Sequence, residues 1–123
     1  MNALKFDELP EWQRNILGLV QVSGFEGHLR LWEQIISSSY QILDENGSLE
    51  IACKNSIAAN LLNSVPFEFE SIDVDDIKIH CIMHTSEGII YYLQVFKEDD
   101  SNIIRFPSLN NTKLIINGQI PRL

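Results

Sequence analysis

Two short acidic runs, Asp73/Asp75/Asp76 and Glu98/Asp99/Asp100, are the residues most able to do chemistry in this chain. Carboxylates packed this densely attract cations, which leaves three outcomes. They can be ordinary solvated turns, since aspartate suits turns and salt screens its repulsion. They can hold calcium or magnesium, which take carboxylate oxygens, but Asp73-x-Asp75-Asp76 lacks the glycine and distal glutamate of an EF-hand loop. They can also form a docking surface, because clustered negative charge speeds association with a cationic protein and disfavours acidic competitors.

Other reactive side chains give weaker patterns. His80, Cys81 and His84 with Cys53 are the densest set of metal-ligand types. Zinc wants four convergent donors. On a strand, His80 and His84 share a face about 13 Å apart and Cys81 points the other way. Surface histidines and a core thiol are therefore expected, not a metal site or a Cys–His nucleophile pair. Ser37-Ser38-Ser39 reads as a helix end running into a loop. Trp12 and Trp32, at helical spacing among leucines and isoleucines, read as core residues or interface anchors. No Walker A sequence, Rossmann glycine pattern, G-x-S-x-G or H-E-x-x-H is present. An enzyme is not expected, nor is a cofactor.

The wider charge pattern isolates the acidic runs. The 123 residues carry 17 acids and 9 bases, a net charge of −8. Residues 68–100 hold nine of those acids and two bases, so nearly all the excess lies there. That balance opposes general nucleic-acid binding, which needs cations facing phosphate. No apolar stretch is long enough to span a membrane, and Met1–Glu8 does not read as a signal peptide. Cys53 and Cys81 are expected as reduced thiols in the cytoplasm.

The acidic runs must be positioned by secondary structure, and the periodicity assigns it. Asp7 is a candidate N-cap with Pro10 in the first turn, and Leu9, Trp12, Ile16, Leu19 and Val20 recur at helical spacing. A second helix is expected over His28–Ser38, with Leu29, Trp32, Ile35 and Ile36 as its buried stripe. Tyr40–Leu43 and Ser48–Cys53 flank Asp44-Glu45-Asn46-Gly47, a hairpin signal. Ser56–Leu62 favours one or two helical turns before Pro66. Phe67 and Phe69 alternate with Glu68 and Glu70 as in a half-buried strand. Further strands are expected over 77–84, with Ile77, Ile79, Cys81 and Met83 on one face, and over 89–97, 103–106 and 113–116. The class is α+β in a single domain spanning 1–123, helical over 7–38 and mainly β over 40–117, with N-terminal helices packed on an antiparallel β-sheet. If 77–84 and 89–97 form a hairpin, antiparallel pairing brings both acidic runs to one end of the sheet.

The segments Ile72-Asp73-Val74-Asp75-Asp76-Ile77, Glu87-Gly88-Ile89 through Lys97-Glu98-Asp99, and Ile103-Ile104-Arg105-Phe106-Pro107 are similar to a family of small bacterial proteins. That family carries a D-x-D-G-V strand, a G-x-L-x-E-L strand and a W-K-x-D…L-I-R-x-P ending. Asp76 stands where it usually has glycine, Gln94 near its acidic strand position, and Phe96 where it has tryptophan. The motifs imply fold more than activity. In size, acidity and α+β character the chain also resembles immunity proteins of contact-dependent growth inhibition and related bacterial toxin systems, which bind a cognate toxin domain, often a nuclease, in the cytoplasm. That resemblance implies a toxin inhibitor acting by protein–protein interaction. Its partner-binding residues would be Asp73, Asp75, Asp76, Glu98, Asp99 and Asp100, with Tyr91 or Tyr92 as aromatic anchors. The alternative is a non-catalytic adaptor or subunit of a bacterial protein assembly.

Overall fold

A computed structural model of the chain describes residues 3–54 and 57–117. Seven strands form one antiparallel sheet: β1 (Leu4–Lys5), β2 (Ser39–Ile42), β3 (Leu49–Ala52), β4 (Phe67–Ile72), β5 (Lys78–Ser86), β6 (Ile89–Lys97) and β7 (Lys113–Ile116). Their order in the sheet is β1-β2-β3-β6-β5-β4-β7. Two short helices, α1 (Glu11–Gly18) and α2 (His28–Ser37), precede β2. The protein is α+β, and sheet predominates.

Period-two alternation gives the sheet two unlike faces. Phe67, Phe69, Ile79, Cys81, Met83, Leu93 and Val95 are buried on the inner face. Glu68, Glu70, His80, Ile82, His84, Tyr92, Gln94 and Phe96 lie between them on the outer face and stay half-exposed. Ile16 and Leu17 of α1 and Leu31 and Ile35 of α2 share one core with the inner-face residues. Burying this many aliphatic and aromatic side chains, at about 1.5–3 kcal/mol each, is the main force holding the elements together.

The helices differ from their expected registers. Asp7 lies in a short 3-10 turn over Phe6–Glu8, and Pro10 is the residue that caps α1. Proline there loses no helical hydrogen bond, and the Gln13 and Arg14 N–H groups donate to its carbonyl. On α2 the buried stripe is Leu31, Gln34 and Ile35, while Leu29 and Ile36 are exposed. The polar Gln34 displaces the expected apolar pair because its carboxamide is fully used. Nε2 donates to the Ile57 and Gly88 carbonyls at 3.0 and 2.9 Å, and Oε1 accepts from the Ile90 N–H at 3.0 Å. Helical periodicity cannot register such a role.

Two other segments also depart from expectation. Residues 57–62 are not helical, and Ser56 lies outside the described residues. The Ala59 N–H donates to the Gly88 carbonyl at 2.9 Å, so this stretch is held against the β5–β6 turn by a backbone bond that a helix would consume internally. Residues 103–106 form no strand. The Ile103, Ile104 and Arg105 N–H groups go to side chains instead of to a ladder, as described below.

Candidate functional site

The β5–β6 pairing sets Ile79 opposite Lys97 and His80 opposite Phe96, and the Glu98 N–H donates to the Lys78 carbonyl at 3.0 Å. The end of β6 therefore lies beside the start of β5, and the two acidic runs meet. At their junction is a cation whose burial the sequence did not announce. Lys97 is on the inner face, 1% exposed. Its Nζ lies 3.1 Å from Asp73 Oδ2 and 2.5 Å from Asp75 Oδ2.

Asp73 corrects the expected docking set, because it is buried at 3% exposure and has no oxygen to offer a partner. Oδ1 accepts the Val74 and Arg105 N–H groups at 2.7 and 2.9 Å, and Oδ2 accepts the Ile104 N–H at 2.7 Å beside the Lys97 ammonium. Burial pushes the Asp73 carboxyl up, but these backbone donors and Lys97 outweigh it and hold it down at about 2. The bond to Asp75 raises Lys97 against the opposing effect of burial, and Asp73 adds to the rise. Both groups are charged at neutral pH. Asp73 thus pins residues 104–105 to the β4–β5 turn, which explains why 103–106 is not a strand.

The other acids of the set divide by what they touch. Asp75 is shared with Lys97 and half-withdrawn, its side chain 31% exposed. Asp76, Glu98, Asp99 and Asp100 are exposed. Asp99 accepts the Ser101 N–H and hydroxyl at 3.0 and 2.6 Å, which lowers its pKa. Glu98 accepts a 3.3 Å contact from His80 Nε2. Asp76 and Asp100 have φ of 66° and 63°, and aspartate tolerates that left-handed region better than most residues. Glycine, which the resembled motif carries at the position of Asp76, adopts it freely.

Two carboxylates join this end that lie far away in the sequence. The β2–β3 turn reaches it because β3 pairs with β6, Leu49 opposite Leu93, and Ser48 Oγ bonds to both the Val95 N–H and carbonyl. Asp44 and Glu45 are exposed on that turn. Glu45 accepts from Asn102 Nδ2 at 3.0 Å, and Asn46 Oδ1 accepts the Ile103 N–H at 3.0 Å. The Asp-Glu-Asn-Gly hairpin signal identified a turn, but the β3–β6 pairing decides which end of the sheet it occupies. Phe106 completes the strap by stacking on Trp12, ring centroids 4.8 Å apart and 7° from parallel.

Tyr91 and Tyr92 are not part of this end. They lie six and five residues before Lys97, about 17–20 Å along the strand. His80 and His84 share the outer face as expected, each with its own partner: His80 stacks on Phe96, and His84 Nε2 donates to Gln94 Oε1 at 3.1 Å. Cys81 points into the core, where burial pushes its thiol up to about 12, far from a working thiolate at neutral pH. Cys53 and Cys81 are not disulfide-bonded. Among the described residues no three His, Cys, Asp or Glu side chains are placed to hold a metal ion. Ser37 and Ser38 hydroxyls donate to α2 carbonyls, closing the helix. No helix among the described residues is long and apolar enough to cross a membrane.

A family model for a domain of unknown function, DUF6984, matches residues 11–107. The chain belongs to that family. The DUF6984 match runs from the start of α1 to Pro107, so it contains Asp73, Lys97 and the 104–105 backbone they secure, and it leaves out β1 and β7. No curated protein and no solved structure matches the chain.

Proposed function

We propose that the chain is a non-enzymatic, cytoplasmic immunity protein that neutralises a cognate toxin domain, a basic protein such as a nuclease, through the carboxylate end of its sheet. The helices α1 and α2 would close the inner face, leaving the sheet end and outer face to the partner. One observation carries this reading: the β5–β6 register gathers exposed Asp76, Glu98, Asp99 and Asp100, and the β2–β3 turn adds Asp44 and Glu45. Lys97 offsets only the inner pair, so the rim keeps its negative potential. Such a rim would occupy cationic positions on the toxin that otherwise hold phosphates, and it would steer the encounter.

The test is the association rate with the cognate toxin domain. Asp76→Lys with Asp99→Lys should slow association about tenfold or more at low salt and leave the fold intact. An unchanged rate would remove the rim from the interface. Binding that persists at high salt would point instead to apolar contacts. That outcome favours a second reading, a non-catalytic subunit or adaptor of a bacterial assembly. Its supporting observation is the exposed apolar pair on α2, Leu29 at 60% and Ile36 at 50%.

A further inference from the structure

Strict alternation along β6 would send Tyr91 inward, with Leu93 and Val95, and leave Tyr92 alone on the outer face. A bulge changes this. His84 pairs with Tyr92 and Thr85 with Ile90, so Tyr91 has no partner in the ladder. Ile90 takes the buried position and Tyr91 turns outward, 47% exposed. Bulges re-aim side chains in this way. Both tyrosines then flank His84, their ring centroids 6.2 and 5.2 Å from its imidazole. Gln94 fixes that imidazole through Nε2. Directly across the β3–β6 pair from Tyr92 is Glu50, which is exposed and whose side-chain carboxylate makes no hydrogen bond or ion pair among the described residues.

We propose that Tyr91, His84, Tyr92 and Glu50 form a docking spot for an arginine side chain of a basic protein partner. The phenol rings present π-faces that attract a guanidinium. Glu50 offers the carboxylate that a planar, forked cation pairs with best. Two outer-face lysines lie away from Glu50: Lys78 is held by Glu70 at 3.1 Å, and Lys113 is on the edge strand opposite Glu70. A nucleobase would stack on the same rings, but Glu50, Glu68 and Glu70 on this face repel its phosphates. The inference rests on the reading of a basic partner and adds the identity of one anchor. The spot is separated from the carboxylate rim by most of the length of β6, so the two are testable apart.

The probe is a blocked hexa-arginine peptide, titrated into the full chain and followed by the ring resonances of Tyr91, Tyr92 and His84 in NMR. Those rings should shift on titration. Tyr91→Ala and Glu50→Gln, both at exposed positions, should each weaken binding about fivefold, the scale of one exposed cation–π or ion-pair contact. Tyr91→Phe, which keeps the ring, should retain it. Hexa-lysine should shift the rings less, since a compact ammonium stacks poorly. If only amides of the rim respond, the arginine spot is overturned and the rim reading stands. If the rings respond and Asp99→Lys/Asp100→Lys changes nothing, the rim reading fails and the spot stands. Silent rings with an unresponsive rim overturn both.

Discussion

The two ends of the β5–β6 hairpin are each tied to a distant segment of chain, but by opposite means. At the Lys97 end, a buried ion network does it: Asp73 collects three backbone N–H groups and an ammonium. At the turn end, the neutral carboxamide of Gln34 collects two carbonyls and one N–H. Both solutions give partners to backbone groups of turns and loops that no strand ladder or helix satisfies. The charged one gives stronger hydrogen bonds at a larger desolvation cost, and its strength depends on protonation. The neutral one is weaker and indifferent to pH. The lesson for function is that acidity alone does not mark a docking residue. Asp73 and Asp99 are the same residue type at the same end of the sheet, and one is a structural pin while the other meets solvent.

Breaking the charged end should cost most. Asp73→Ala leaves three backbone donors without their acceptor and Lys97 with Asp75 as its remaining carboxylate, and urea unfolding should report a loss of about 3 kcal/mol. The same group sets an acid limit. Its folded pKa, held down to about 2, lies below the ordinary 3.8 of a free aspartate. Its contribution is therefore fully present above pH 3.8 and is lost as pH falls towards 2. Stability measured across that window should decline in the native chain and decline less steeply in Asp73→Asn.

The neutral end should yield less. Gln34→Leu strands the Ile90 N–H without its acceptor, a loss of about 2 kcal/mol with no added pH dependence between pH 2 and 4. A pH-dependent loss there would erase the distinction between the two ends. Gly88→Ala probes the same end through the backbone, because Gly88 has φ of 78° and an added Cβ would lie 2.3 Å from the Ala59 carbonyl oxygen. A loss of about 2 kcal/mol is expected by thermal unfolding. Phe106→Ala removes the stack on Trp12 from the strap, about 1 kcal/mol. Smallest of all, Asp76→Gly should move stability by no more than about 0.5 kcal/mol, as relief of the left-handed φ offsets the added freedom of the unfolded chain. A large loss there would make Asp76 a second pin and shrink the rim.

The strand pattern was legible because alternation and turn residues are local signals. Phe67-Glu68-Phe69-Glu70 and the Asn46-Gly47 turn required no knowledge of the rest of the chain. The meeting of the acidic runs was legible too, since it follows from one hairpin. The α2 stripe was misread because Gln34 resembles a surface residue until the backbone it satisfies is in place. Residues 103–106 have strand composition, yet the Ile104 and Arg105 donors were claimed by Asp73, about thirty residues away, and the Ile103 donor by Asn46.

The sequence by itself determined the α+β composition, the strand faces and the concentration of carboxylates over residues 68–100. Tertiary structure decided which of those carboxylates are spent: it buried Lys97 between Asp73 and Asp75, brought Asp44 and Glu45 to the same end, and turned Tyr91 outward at a bulge. The physical reason is that periodicity encodes which way a side chain points, whereas burial of a charge depends on whether distant backbone donors and counter-ions arrive to satisfy it.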